Sequence, residues 1–300
     1  DLGNLKKGKT EKDTFFAFRE IFSSLNRKNI PLIILGGSKN ISYAVYQSYS
    51  ESNNSVNITT VNSKIESFNQ QGKKDRTNFL EKIITEKDNY LFSYTNIGYQ
   101  NYYVNDDDIA ILNKLLFNTF RLGIVRENIR EVEPEIRDTD FLSFDISSIR
   151  QADAPAHQDP CPNGFFGEEA CQIAKYAGIS DRLNCFGLFE LNPEYDSNAQ
   201  TVNLASQIIW YFIEGLKLRK HDLPNDDKSD FKEFIVELSE SAHKIIFYKS
   251  PRSDRWWMEV PSGKSHHQKS IMVACSYEDY QKACNQEIPD RWLKAFQKIR

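Results

Sequence analysis

Histidine is scarce and one-sided in this chain. There are five, and none precedes His157. The N-terminal half therefore lacks both the commonest metal ligand and the commonest general base. Cysteine is also sparse: Cys161, Cys171, Cys185, Cys275 and Cys284 are widely spaced, odd in number and form no Cys-x-x-Cys. That pattern excludes a disulfide framework and a thiolate zinc site, and points to a reducing, cytoplasmic setting. No excess of positive charge exists, with 38 Lys and Arg against 42 Asp and Glu. A nucleic-acid partner, which needs a basic face, is not expected. No run of 18 apolar residues occurs, so a membrane-spanning helix is excluded. A phosphate-binding glycine loop is absent too, because Gly36-Gly37 lacks the required following spacing. The chain starts at Asp1 rather than Met, as a fragment or a processed chain would.

What remains is 300 residues of ordinary soluble composition, 40% hydrophobic and 27% charged. Short apolar or β-branched runs alternate with helical patterns. Strands are predicted at 31–35, 56–61, 89–94, 140–145, 184–191, 244–249 and 271–274. Helices are predicted at 13–25, 41–49, 78–86, 106–118, 168–176, 199–219, 277–284 and 289–299. The alternation predicts an α/β fold, a mainly parallel sheet with helices on both faces. The polar stretch 221–230 is short enough to be a loop, so one domain over 1–300 is expected. Sites in such sheets form beyond the carboxyl ends of strands. Four ends are the places to look: 36–40, 62–66, 145–150 and 190–196.

Those ends carry a resemblance. Gly36-Gly37-Ser38-Lys39-Asn40, Val61-Asn62-Ser63-Lys64-Ile65-Glu66, Ser143-Phe144-Asp145-Ile146-Ser147 and Glu190-Leu191-Asn192-Pro193 resemble, in order, four motifs of the ureohydrolases. These are the arginase, agmatinase and formimidoylglutamase superfamily. Asp254-Arg255-Trp256-Trp257-Met258-Glu259 and Asn163-Gly164-Phe165-Phe166-Gly167 are similar to the formimidoylglutamase branch. Asp1-Leu2-Gly3-Asn4 resembles the lead-in to the family's second unit. The resemblance thus implies a three-layer αβα arginase-like fold without its first strand and helix.

The family holds two Mn²⁺ ions with two His and four Asp, and hydrolyses an amidine or guanidine carbon with metal-activated hydroxide. At the matching positions this chain has Lys39 for the first His. Asn62, Lys64 and Glu66 replace Asp, His and Asp, and Asp145 and Ser147 stand where the family has two Asp. A charged lysine has no lone pair for a metal. Two lysines facing two carboxylates balance as the family's metals and carboxylates do, so the lysines are expected in the space of the metals, bridging to Glu66 and Asp145. The resemblance therefore implies a binding or scaffold protein without catalytic residues or cofactor. The alternative is a Mn-dependent hydrolase of linear amidine or guanidine C–N bonds, with a displaced or single-metal site. A third reading keeps Glu190 as the recognition group for a small guanidino or amidino ligand. Glu190 could equally anchor a loop. The family also implies a homo-oligomer, or a protein partner not named by the sequence.

Four other features weigh less. Asp153, His157 and Asp159 share a proline-rich loop and could ligate a metal, but isolated loop groups are more often solvated. His266 and His267 are neighbours, whose side chains point apart on an extended chain. Trp256, Trp257, Trp292, Tyr277, Tyr280 and Phe296 are of hot-spot type, yet their spacing favours packing. Cys161 and Cys171 are read as packing or surface thiols.

Overall fold

A computed structural model of the chain describes residues 1–28, 30–51, 55–65, 68, 78–224, 228–239, 244–261 and 270–299. Six strands build the main sheet: β1 (Leu32–Leu35), β2 (Val56–Val61), β3 (Leu91–Tyr99), β4 (Asn118–Arg121), β5 (Phe141–Asp145) and β6 (Cys185–Phe189). Their order is β1-β6-β5-β2-β3-β4, and every pairing is parallel. Buried strands β2, β5 and β6 have no exposed residue, which is why they read as continuous apolar or β-branched runs.

Helices α1 (Glu11–Asn26), α2 (Ile41–Ser50), α3 (Phe79–Thr85) and α4 (Asp106–Lys114) cover one face. Their Phe22, Tyr46, Leu80 and Leu112 pack on Ile58, Phe141 and Phe189. Helices α5 (Leu122–Glu127), α6 (Glu133–Arg137), α7 (Gly167–Ile179) and α8 (Gln200–Lys217) cover the other. There Val125, Ile136, Ile173 and Phe212 meet Leu142, Phe144 and Phe186. This is the expected αβα sandwich. α7 and α8 cross at two glycines. A Cβ on Gly178 would lie 2.2 Å from the Phe212 carbonyl oxygen, and one on Gly215 would lie 2.7 Å from that of Lys175.

The C-terminal strands depart from the expectation of a single parallel sheet. β7 (Lys232–Glu237), β8 (Lys244–Lys249), β9 (Trp256–Val260) and β10 (Ile271–Cys275) form a separate antiparallel sheet. The links between consecutive strands, 238–243, 250–255 and 261–270, are shorter than the dozen or more residues that a parallel crossover needs. With α9 (Tyr277–Cys284) and α10 (Asp290–Lys298) they enclose their own core around Phe247, Trp256, Met258 and Trp292. The predicted 106–118 helix also stops early. Leu116 turns left-handed (φ 59°), while Leu116 N–H donates to Asn113 O and Phe117 N–H to Leu112 O, both at 2.9 Å. That closes α4 as a Schellman-type end and frees Asn118 to start β4.

Arginines join the two sheets. Arg137 donates to the carbonyls of Trp256 (2.7 Å) and Cys275 (3.2 Å), and pairs with Glu133 at 2.7 Å. Its guanidinium also lies 4.7 Å from the Trp257 ring centre. Arg291 pairs with Glu135 at 2.8 Å, and Arg255 with Glu133 at 3.3 Å. Asp138 accepts from Ala274 N–H at 2.8 Å. Burial pushes its carboxyl up to about 6, although Arg182, the Ala274 N–H and Arg137 favour the charged form.

Two outcomes follow. Gly178→Ala should lower unfolding free energy by about 2–3 kcal/mol in urea denaturation, because its methyl meets backbone that cannot swing away. Asp138 keeps its proton to about pH 6 when folded but only to about 3.9 when unfolded. Folding is therefore opposed increasingly as pH rises between those values, and fully above them. Asp138→Asn should gain roughly 1–2 kcal/mol on wild type between pH 4 and pH 8, measured by denaturation at both pH values.

Candidate functional site

Register places the four motif segments together. Leu35 pairs with Leu188, Leu188 with Phe144 and Phe144 with Val61. One transverse row thus crosses β1, β6, β5 and β2, and Lys39, Glu190, Asp145 and Asn62 all follow it within a few residues. Gly36 and Gly37 take positive φ angles of 85° and 69°, which glycine adopts without strain. Gly36 N–H donates to Leu188 O at 2.9 Å, bending the chain so that Lys39 faces β5.

Asp145 lies at the centre, with its side chain 5% exposed. Its Oδ2 accepts from Lys39 Nζ at 3.2 Å. Its Oδ1 accepts from Ser147 N–H at 2.9 Å and Ser147 Oγ at 2.6 Å. Both carboxylate oxygens are therefore engaged by the protein's own donors. Lys39, Asp145 and Ser147 meet as the motif order implies.

Glu190 takes φ 66° and clamps the glycine turn from both sides. Its N–H donates to Gly37 O at 3.0 Å, and its Oε1 accepts from Lys39 N–H at 2.9 Å. This is the loop-anchoring geometry. Asn62 is buried, and its Oδ1 accepts from Lys64 N–H at 3.0 Å, holding the turn after β2. Lys64 does not bridge to a carboxylate among the described residues. Its ammonium lies 5.2 Å from the centre of the Tyr103 ring, where the ring's negative face takes the place of an anion. Glu66 falls outside the described residues.

The neighbouring strand supplies residues not foreseen in the sequence. Beyond β3, Gln100 N–H donates to Ser63 O at 3.0 Å, bringing Tyr102 and Tyr103 beside Lys64. Cys161, reached from β5 through the 149–165 loop, is buried. Its Sγ lies 3.3 Å from Tyr103 Oη and 3.7 Å from both Tyr102 Oη and Gln100 Nε2. Burial would raise the thiol. Hydrogen bonds from Tyr103, Tyr102, Asn163 N–H and Gln100 outweigh it and bring the thiol below its ordinary value. Cys161 is thus a polar neighbour of the site as well as a buried thiol. Treating 99–103 as a fifth strand end would have found this wall.

The other candidates do not converge. Asp153 is taken by Arg150 and by Gly167 N–H, each at 2.9 Å, while His157 Nδ1 accepts from Asp159 N–H at 2.9 Å. His266 and His267 lie outside the described residues. Trp256, Tyr280, Trp292 and Phe296 pack in the second core, as their spacing predicts. Among the described residues, no three His, Cys, Asp or Glu side chains are grouped to hold a metal, and no helix is long and apolar enough to cross a membrane.

The fold agrees with known proteins. Formimidoylglutamases of Staphylococcus aureus (strain MSSA476) and Staphylococcus haemolyticus (strain JCSC1435) are 23% and 24% identical over 222 and 226 residues. In each case the match spans 71% of either chain. The crystal structure of Trypanosoma cruzi formiminoglutamase with Mn²⁺ superposes with a TM-score of 0.65 at 17% identity, over 73% of this chain and 76% of that one. Formimidoylglutamase from Bacillus subtilis superposes with a TM-score of 0.64 at 20% identity, over 73% and 72%. The arginase family model matches residues 1–214, which hold all six strands of the main sheet and all four strand-end motifs, and the chain belongs to the arginase family.

Proposed function

We propose that this arginase-family chain has exchanged the family's dinuclear Mn²⁺ centre for an internal ion pair and acts by binding rather than by hydrolysis. The observation that carries the reading is that both carboxylate oxygens of Asp145 are engaged by the chain's own donors. Lys39 holds Oδ2 at 3.2 Å and Ser147 holds Oδ1 through two hydrogen bonds. Mn²⁺ needs lone pairs, and the ammoniums of Lys39 and Lys64 have none. The described residues at the motif positions therefore do not fit two metal ions.

What the site offers instead is recognition. A bound molecule would meet the Lys64–Tyr103 pair, the cysteine wall and the carboxylate of Glu190, whose Oε1 is committed to the turn. Glu190 gives a cationic guanidino or amidino ligand one anionic contact. Assembly with further copies or with another protein in a reducing, cytoplasmic compartment belongs to the same proposal. Mn-dependent hydrolysis of linear amidines is the second reading, and it is favoured by the activity named for the relatives.

Elemental analysis of the purified protein after Mn²⁺ loading separates the two. Substoichiometric metal and no turnover of formimidoylglutamate, agmatine or arginine are expected. Near-stoichiometric Mn²⁺, or metal-dependent turnover, would overturn the proposal. The fourfold variant Lys39→His, Asn62→Asp, Lys64→His, Ser147→Asp should gain Mn²⁺ binding. The ion pair is tested separately by stability. Lys39→Met leaves a buried carboxylate unpaired and should cost about 3 kcal/mol, whereas Lys39→Met with Asp145→Asn should recover at least half of that.

A further inference from the structure

A second polar cavity lies at the opposite, amino ends of the strands, where the main sheet meets α10. Its volume is about 210 Å³. Arg291, Lys294 and Lys298 stand three and four residues apart on α10, so one helix face turns all three towards it. Ser93 of β3 and Asn118 of β4 line the facing wall.

The carboxylates there are committed to partners other than the two lysines. Arg182 is held by both oxygens of Asp140, at 2.8 and 3.1 Å. Arg291 is surrounded by Glu135, Glu131 and Asp279. Glu135 is in turn committed, with Oε1 to Arg291 and Oε2 to Asn118 at 2.9 Å and Thr95 at 3.3 Å. Asp138 holds the Ala274 N–H. The two lysines are left with neutral partners. Lys294 Nζ donates to Asn118 Oδ1 at 2.6 Å and Phe117 O at 3.4 Å. Lys298 Nζ donates to Ser93 Oγ at 3.0 Å and lies 5.3 Å and 5.6 Å from the ring centres of Phe117 and Phe92. Among the described residues, neither ammonium has a carboxylate within ion-pair distance.

Two half-buried cations side by side without an anion are costly, because each loses hydration and repels the other. Burial lowers Lys294, and burial together with Lys294 brings Lys298 down to about 8 against the opposing pull of Glu135. A dianion between the two ammoniums would answer both terms. A cavity of that size has room for a tetrahedral oxyanion or a four-carbon dicarboxylate.

We propose that this amino-end cavity binds a small dianionic oxyanion, carried on phosphate or on paired carboxylates, between Lys294 and Lys298. The site is independent of the strand-end motifs and does not depend on whether the other end of the sheet is catalytic.

Isothermal titration of the full chain with inorganic phosphate and with succinate, at ionic strength fixed by chloride, tests it. One-site binding of either anion is expected, at least tenfold weaker in Lys294→Met and in Lys298→Met and unchanged in the exposed-lysine control Lys28→Met. Binding of phosphate alone identifies a phosphoryl ligand, binding of succinate alone a dicarboxylate, and binding of both a general oxyanion pocket. Should either variant fail to fold, amide shifts of the wild type decide. Saturable movement of Ser93 and Asn118 on titration supports the site. No binding at 10 mM of either anion, equal binding by the folded variants, or shifts confined to residues 36–39 would overturn it.

Discussion

Asp145 ends the central strand β5 with its side chain almost wholly buried, so its negative charge must be answered inside the protein. Lys39 does this from two strands away, and it can do so only because β1 ends in two left-handed glycines that fold the following residues back over β6. Glu190, itself left-handed, ties that turn down through the Lys39 N–H and the Gly37 carbonyl. Three of the four strand ends are thus fastened around one carboxylate. A lysine ammonium, two serine donors and a backbone clamp draw the ends together.

This explains why the site could be located in the sequence while its internal pairing could not. Location depends on strand order and on glycine after an apolar run, and both leave local marks at Leu32–Gly37 and Phe141–Asp145. Pairing depends on how far a flexible side chain reaches. Lys64 was expected to meet a carboxylate, yet its ammonium rests on Tyr103. That ring arrives from beyond β3, nearly forty residues further along the chain. Charge balance between two lysines and two carboxylates was a sound constraint on the set. It carried no information about which lysine would use a ring face instead of an anion.

The C-terminal third was less legible for a related reason. Strands β7 to β10 alternate or run apolar much as the first six do, and periodicity alone does not reveal which sheet a strand joins. What separates them is the shortness of their links, which leaves no length for a crossover and favours antiparallel pairing. What joins them back to the sandwich is a set of arginines whose partners lie more than a hundred residues away. Arg137 binds the carbonyls of Trp256 and Cys275. No motif marks such contacts, because any exposed arginine looks the same in sequence.

The join also accounts for the uneven electrostatics of the two ends of the sheet. Arg137, Arg255 and Arg291 consume Glu131, Glu133, Glu135 and Asp279 in holding the second sheet against α6. α10 must turn its Arg291 face inwards to take part. Helical geometry then brings Lys294 and Lys298 along on the same side, where the nearby carboxylates are already spent. Two unanswered cations at the amino ends are therefore a direct consequence of how the second sheet is attached. At the carboxyl ends the opposite holds, because Lys39 sits on a turn that Glu190 fastens within reach of Asp145. One sheet thus ends in a closed ion pair on one side and an open pair of ammoniums on the other. A dianion would be attracted to the second end and would find Asp145 already satisfied at the first.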